Sequence, residues 1–291
     1  MFQPLVHLKE IFMSFIRKTA TAAVASAMLL AAAQANAFVI QLGGSLGSVN
    51  FNTIDWTENG SAYVTGFEAV AGDTFSIKAI SQASSLSFNS VQTALMGDTM
   101  AANPAFNGFS GVELTLVATL NEAVQSVVGN IANFVLLSGR FDVYLDATPE
   151  TNNLITGLGF SNGTRILGGI FNAGQTGSFT DLNLIPPGSA GANGTGSNTL
   201  TSSIDFVDAA FISPAPGSTN ATTTLQYGTS AAGWIRPTTI DGVAIFGDTP
   251  SDFVMKADAN QTILPIPEPG TLALLGLALG GLGFSRKRKA A

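Results

Sequence analysis

The sequence predicts an all-β protein whose body is a single β-sandwich or jelly-roll-like domain, and three observations carry that expectation. Apolar and polar residues alternate: Val112, Leu114, Leu116, Ala118 and Leu120 fall on one side of a strand, and Phe141, Val143 and Leu145 oppose Asp142, Tyr144 and Asp146. A period of two is the signature of a half-buried strand. Asn-Gly pairs begin at 59, 107, 162 and 193, between or beside such runs, and Asn-Gly is favoured in tight hairpin turns that need positive φ at both central residues. Twenty phenylalanines, many at alternating positions such as Phe51, Phe67 and Phe75, supply an apolar layer of the kind that fills the space between two sheets.

In chain order, residues 1–37 read as a secretory signal peptide with a helical apolar part. Arg17 and Lys18 precede an uncharged run from Thr19 to Ala33, and Ala35-Asn36-Ala37 is a small-x-small cleavage site, so that Phe38 becomes the first mature residue. The stretch Met1 to Phe12 is long for a charged leader and contains Glu10, whereas a start at Met13 gives an ordinary signal. The sandwich body follows over 38–256. Inside it, Val124, Val127, Val128 and Ile131 are spaced as on a helix, but Gly129 and the β-branched content oppose one, which leaves a short helix and a strand edge both open for Asn121 to Ile131. Pro186-Pro187-Gly188 opens a Gly, Ser, Asn and Thr-rich stretch to Ser203 with Leu200 as its one large apolar residue, the composition of a long surface loop. Residues 257–266 lead into prolines at 265, 267 and 269 and predict an extended stalk. No repeat of 20 to 50 residues is evident, which argues against a propeller or solenoid.

The last segment, 267–291, has three parts: Pro267-Glu268-Pro269, an uncharged run from Gly270 to Phe284, and the basic cluster Arg286, Lys287, Arg288 and Lys289. As a helix the run would extend about 22 Å, short of a ~30 Å hydrocarbon core. Four cations directly after it stay on the cytoplasmic side, which leaves everything before Pro267 outside the cytoplasm. Glycines at 270, 276, 280, 281 and 283 make it a weak permanent anchor, so a transient hold before processing fits better than a lifelong span; an ordinary single-span anchor is the alternative.

Charge and missing residue types exclude much chemistry. Between 38 and 266 there are seventeen acidic and five basic residues, a balance that repels polyanions and makes nucleic acid an unsuitable partner. The one histidine, His7, lies in the leader, and the chain has no cysteine. Ser-His-Asp and Cys-His catalysis are therefore ruled out, as are the His and Cys ligand sets of zinc, haem and iron–sulfur sites. Oxygen-ligand chemistry remains: paired carboxylates for glycoside hydrolysis, or an irregular calcium site. Asp142 and Asp146 share a face but stand about 13 Å apart along a strand, beyond the separation of a glycosidase pair. Asp205 and Asp208 fall on opposite faces. The expectation is therefore no catalytic residue, no resident metal and no cofactor. Trp56, Tyr63, Tyr144, Tyr227 and Trp234 are the candidates for a sugar-stacking platform.

The three-part tail resembles the PEP-CTERM sorting signal of Gram-negative bacteria. That resemblance implies an exosortase as partner in the inner membrane, with Pro267, Glu268 and Pro269 as the sorting motif and Arg286 to Lys289 as the cytoplasmic stop. The segments Asp55 to Ser61, Phe141 to Asp146, Gly159 to Gly163 and Phe211 to Pro214 look like elements of flocculation-associated PEP-CTERM proteins. What this second resemblance implies is an exported, non-enzymatic matrix protein that acts with exopolysaccharide in flocculation or biofilm formation. It brings no catalytic residue with it.

Overall fold

The computed structural model describes residues 38–43, 46–95, 112–147, 154–181, 193–213, 220–228, 234–246 and 248–264. Among the described residues none is helical, and the all-β class is observed. The expected signal-peptide helix and C-terminal hydrophobic helix lie outside the described residues.

Most strands belong to one antiparallel sheet that closes on itself. β5 (Thr74–Phe88) pairs with β7 (Glu113–Val128), and β7 with β8 (Ile131–Asp146). β8 then pairs with two successive strands, β9 (Thr164–Phe171) and β10 (Thr176–Asp181), and both of these pair with β11 (Gly194–Val207). β11 pairs with β13 (Asn220–Gly228), and β13 with β16 (Phe253–Leu264). The ring returns to β5 through a second broken strand, β3 (Thr53–Trp56) followed by β4 (Gly60–Thr65), each hydrogen-bonded to β16 on one side and β5 on the other. Among the described residues eight strand positions thus form a closed ring. The opposed apolar layers expected of a sandwich are present as facing walls of this one sheet.

The inward side chains fill the ring. Val112, Leu114, Leu116, Phe141, Val143 and Leu145 are all buried in one core with Phe51 and Trp56, as the alternation predicts. Opposite strands converge on a void of only about 20 Å³ bordered by Leu116, Phe141, Leu200, Leu225 and Ala259. A three-stranded sheet of β1 (Phe38–Gly43), β2 (Gly47–Phe51) and β12 (Ile212–Ser213) adds Phe38, Ile40, Leu42 and Phe51 to this core. It is tied to the ring through Asn52, whose N–H donates to the Ser87 carbonyl and whose carbonyl accepts from Ile263. A second, smaller cluster of Tyr63, Ile80, Leu154, Phe160, Ile240 and Val254 lies apart from it. There the 154–160 segment and the hairpin β14 (Thr239–Ile240) and β15 (Val243–Ala244) pack on the outer face of β4, β5 and β16. Thr115 Oγ donates to the Phe160 carbonyl at 2.7 Å under the same cover. Burial on both faces explains why β4 is a nearly continuous buried run, not an alternating one.

Four expectations are corrected. The segment Asn121 to Ile131 is neither helix nor strand edge: β7 runs through Val128, Gly129 and Asn130 make a two-residue turn with Gly129 at φ 61°, and β8 begins at Ile131. Its helix-like spacing comes from a bulge between Val124 and Ser126, which shifts the alternation by one residue. The polar stretch reaching Ser203 is strand from Gly194 onward, with Asn198, Leu200 and Ser202 buried. The stalk is also strand as far as Leu264; Ala257, Ala259, Gln261 and Ile263 are its buried residues, and small or polar types at those places hid the period. Finally, the described Asn-Gly pairs do not make the hairpins. Asn59-Gly60 marks the break between β3 and β4, where a Cβ on Gly60 would stand 2.8 Å from the Ala257 carbonyl and 2.9 Å from that of Ile80. The tight turns use Asn89-Ser90, at φ 49° and 65°, which joins β5 to β6 (Val91–Ala94), and Asp241-Gly242, at φ 47° and 77°, between β14 and β15. Asn107 lies outside the described residues.

Candidate functional site

The most unusual interior feature is a polar triad. Asn198 on β11 donates from Nδ2 to Glu122 Oε1 at 2.8 Å and accepts from the Tyr227 hydroxyl, so that β7, β11 and β13 are linked through the core. Glu122 has no exposed surface, and its Oε2 makes no hydrogen bond. Burial pushes its carboxyl up to about 7, against the opposing effect of the Asn198 amide. Burial, and then the Glu122 charge, hold the Tyr227 phenol well above its ordinary range. Around the triad Phe75 packs edge-on to Phe134 at 5.7 Å, and Phe179 stacks on Tyr227 at 6.3 Å. Gly177 makes room for Asn198, whose Oδ1 would lie 1.9 Å from a Cβ built there. The triad escaped the sequence reading although a signal existed: extending the alternation of Val112 through Leu120 by one more step places Glu122 inside.

The five aromatic candidates for a sugar platform are not brought together. Trp56 and Tyr227 are in the ring interior, whereas Tyr63 and Trp234 belong to the smaller cluster, with Trp234 Nε1 donating to Ser61 Oγ at 3.1 Å. Tyr144 is half-buried on β8. Stacking needs exposed ring faces grouped on one surface, and these residues do not offer them.

All five basic side chains of the body are ion-paired. Lys78 meets Asp241 at 3.0 Å, Arg236 meets Asp248 at 2.8 Å, and Lys256 approaches Glu58 at 3.6 Å. Asp142 holds both Arg140 and Arg165, at 2.9 and 2.6 Å, and Arg165 reaches Asp205 at 3.6 Å while its guanidinium covers the Phe206 ring at 4.2 Å. Asp142 is thus committed to arginines, and Asp208 turns the chain by accepting from the Ala210 N–H. Among the described residues no three carboxylates are grouped to hold a metal ion. With every cation engaged, the surplus is negative, and calcium is expected to promote association of the purified protein by bridging carboxylates between molecules. Light scattering with calcium against sodium chloride at matched ionic strength checks this, and equal scattering would count against it.

A cleft of about 440 Å³ lies at the tip of the β7–β8 hairpin between Val127, Asn130, Phe179, Asp181, Phe67 and Pro250. Val128 and Ile131 at that tip, and Val70 in the 66–73 loop, are exposed.

Ala35, Ala37, Pro267, Glu268, Pro269 and Arg286 to Lys289 lie outside the described residues. What is described is the approach to them: β16 ends at Leu264, fully paired with Asn220, so that two residues separate the last strand position from Pro267. Residues 265–289 match the family model of the PEP-CTERM protein-sorting motif. Comparison with curated proteins and with solved structures found no match. The chain therefore carries a PEP-CTERM sorting motif, the mark of a protein exported to the cell surface or extracellular space of a Gram-negative bacterium and recognised by an exosortase.

Proposed function

We propose that this is a non-enzymatic protein of the cell surface or extracellular matrix that supports flocculation or biofilm formation together with exopolysaccharide. The observation that carries the reading is the matched sorting motif on a closed barrel. The chemistry of the body agrees with it: the arginines occupy Asp142, the triad is sealed inside, and the void of about 20 Å³ at the ring centre is far too small for a sugar. A carboxylate-based glycoside hydrolase has less support, since Asp142 is held by Arg140 and Arg165, Arg165 also reaches Asp205, and Asp208 accepts from the Ala210 N–H. In this reading the inner membrane holds the tail transiently, with Pro267-Glu268-Pro269 at its outer face and Arg286 to Lys289 inside. In this reading the prolines at 265, 267 and 269 are there to oppose a helix through the motif, as a membrane protease would require.

Glu268→Ala is expected to leave an unprocessed, membrane-retained precursor, as is deletion of the exosortase, while the barrel stays folded. Mass spectrometry of protein from normal cells is the check: mature chains still bearing Arg286 to Lys289 would make the segment a plain anchor. Cells lacking the protein should flocculate less than the parent, and unchanged flocculation and biofilm would remove the matrix role.

A further inference from the structure

The outer face of the ring carries an ordered row of hydrogen-bonding side chains. Thr201 on β11 is in register with Thr222 on β13, Thr222 with Thr262 on β16, Thr262 with Thr53 on β3, and Thr53 with Ser87 on β5. At the other end Asn172, in the gap between β9 and β10, donates from Nδ2 to Thr201 Oγ at 3.0 Å. Directly opposed residues of an antiparallel sheet project from the same face. The flanking residues Leu200, Ser202, Ala221, Thr223, Gln261 and Ile263 are all buried, so the row points outward. A parallel row two residues along runs Thr199, Thr224, Asn260 and Asp55. The hydroxyls are engaged only in part: Thr53 and Thr262 share a hydrogen bond at 3.2 Å, Thr53 also donates to Asn52 Oδ1 at 3.4 Å, and Thr201 accepts from Asn172.

We propose that this face binds a neutral polyhydroxyl chain, a glycan lying across the strands along the Thr201–Thr222–Thr262–Thr53 row. The inference rests on the matrix reading above and names the surface that would do its binding. Spacing fits, because strands repeat every ~4.8 Å and a pyranose ring advances an extended glycan by about the same distance, so each strand presents a hydroxyl to successive rings. Charge selects the neutral class: the body is strongly acidic, its five cations are engaged by carboxylates, and the first row holds no charge at all. An anionic polymer would meet repulsion with no cation to receive it, whereas sugar hydroxyls match Thr, Ser and Asn as both donor and acceptor. Without stacked aromatic rings, affinity depends on repetition along the chain.

The test uses exported, processed protein in native gels containing either hydroxyethyl cellulose, a neutral glycan, or alginate, an anionic one. Wild type should be retarded by the neutral polymer and far less by alginate. The triple variant Thr201→Val, Thr222→Val and Thr262→Val keeps the β-branched shape and strand preference while removing the hydroxyls, and it should weaken retardation at least about tenfold. The corresponding triple serine variant should stay within about twofold of wild type. If the valine variant does not fold, Asn172→Ala with Thr201→Ser and Thr201→Ala compared at the exposed end of the row gives the same contrast. Valine and wild-type proteins retarded equally would overturn this site and leave polysaccharide association standing elsewhere on the molecule. Retardation in alginate alone would overturn the neutral ligand, and none in either gel would overturn both the site and the polysaccharide partner. Self-association of wild type that the valine variant loses, without glycan retardation, would assign the face to a second copy of the chain.

Discussion

Replacing Phe141 with alanine is expected to lower the stability of the barrel by about 3–5 kcal/mol, the cost of truncating a buried aromatic in a core that cannot collapse. Phe141 has no exposed surface and sits in the middle of β8, held at 5.4 Å from the Phe171 ring. Gly169 on β9 has closed over it so tightly that a Cβ there would come within 2.6 Å of the Phe141 ring. A closed ring limits relaxation, since no strand can move inward without disturbing the ladders on both its sides. The residual void beside Phe141 would be enlarged rather than filled. Urea unfolding should show a lower midpoint at unchanged slope. A loss below about 1 kcal/mol would mean that the walls do move and that the core is less closely packed than the contacts imply.

Phe141 was legible because its strand alternates large apolar residues with polar ones, and the same holds for Leu114, Leu116, Val143 and Leu145. The strands that went unread have other residues at the inward places. Around the triad the rings lie flat over glycines: a Cβ on Gly194 would meet the Phe179 ring at 2.2 Å, and one on Gly196 the Tyr227 ring at 2.3 Å. Those glycines make β11 look like a loop, although it is the strand that brings Asn198 to Glu122. Aromatic rings covering cross-strand glycines are a device of twisted sheets, and it is invisible until the register is known. β16 was misread for a related reason, since its inward Ala257, Ala259 and Gln261 carry little hydrophobic signal. The sorting motif was legible because it is contiguous: motif, apolar run and basic stop follow one another in the chain. The threonine row was not, because it takes one residue from each of four strands spread between positions 53 and 262.

Glu122→Gln is expected to make the barrel more stable at pH 8 by up to about 3 kcal/mol and to leave it nearly unchanged at pH 4. The carboxyl ionises near 4.5 in the unfolded chain and at about 7 in the folded one, because burial disfavours its charged form. With the folded value raised, the contribution of Glu122 is most favourable below the unfolded value. It is lost as pH climbs from about 4.5 through 7, and it stays lost above that. Gln keeps the oxygen that accepts from Asn198 Nδ2 and puts a neutral amide where Oε2 now has no partner. The hydrogen-bonded link between β7, β11 and β13 therefore survives while the buried charge disappears. Asp258, also raised by burial and by Asp55, adds a dependence of the same sign that the variant retains. Unfolding midpoints measured from pH 4 to pH 8 should fall steadily in wild type and less steeply in the variant, the two curves separating between about pH 4.5 and 7. Parallel curves throughout that window would show that Glu122 titrates as an ordinary carboxylate, and the triad would then have to be open to water.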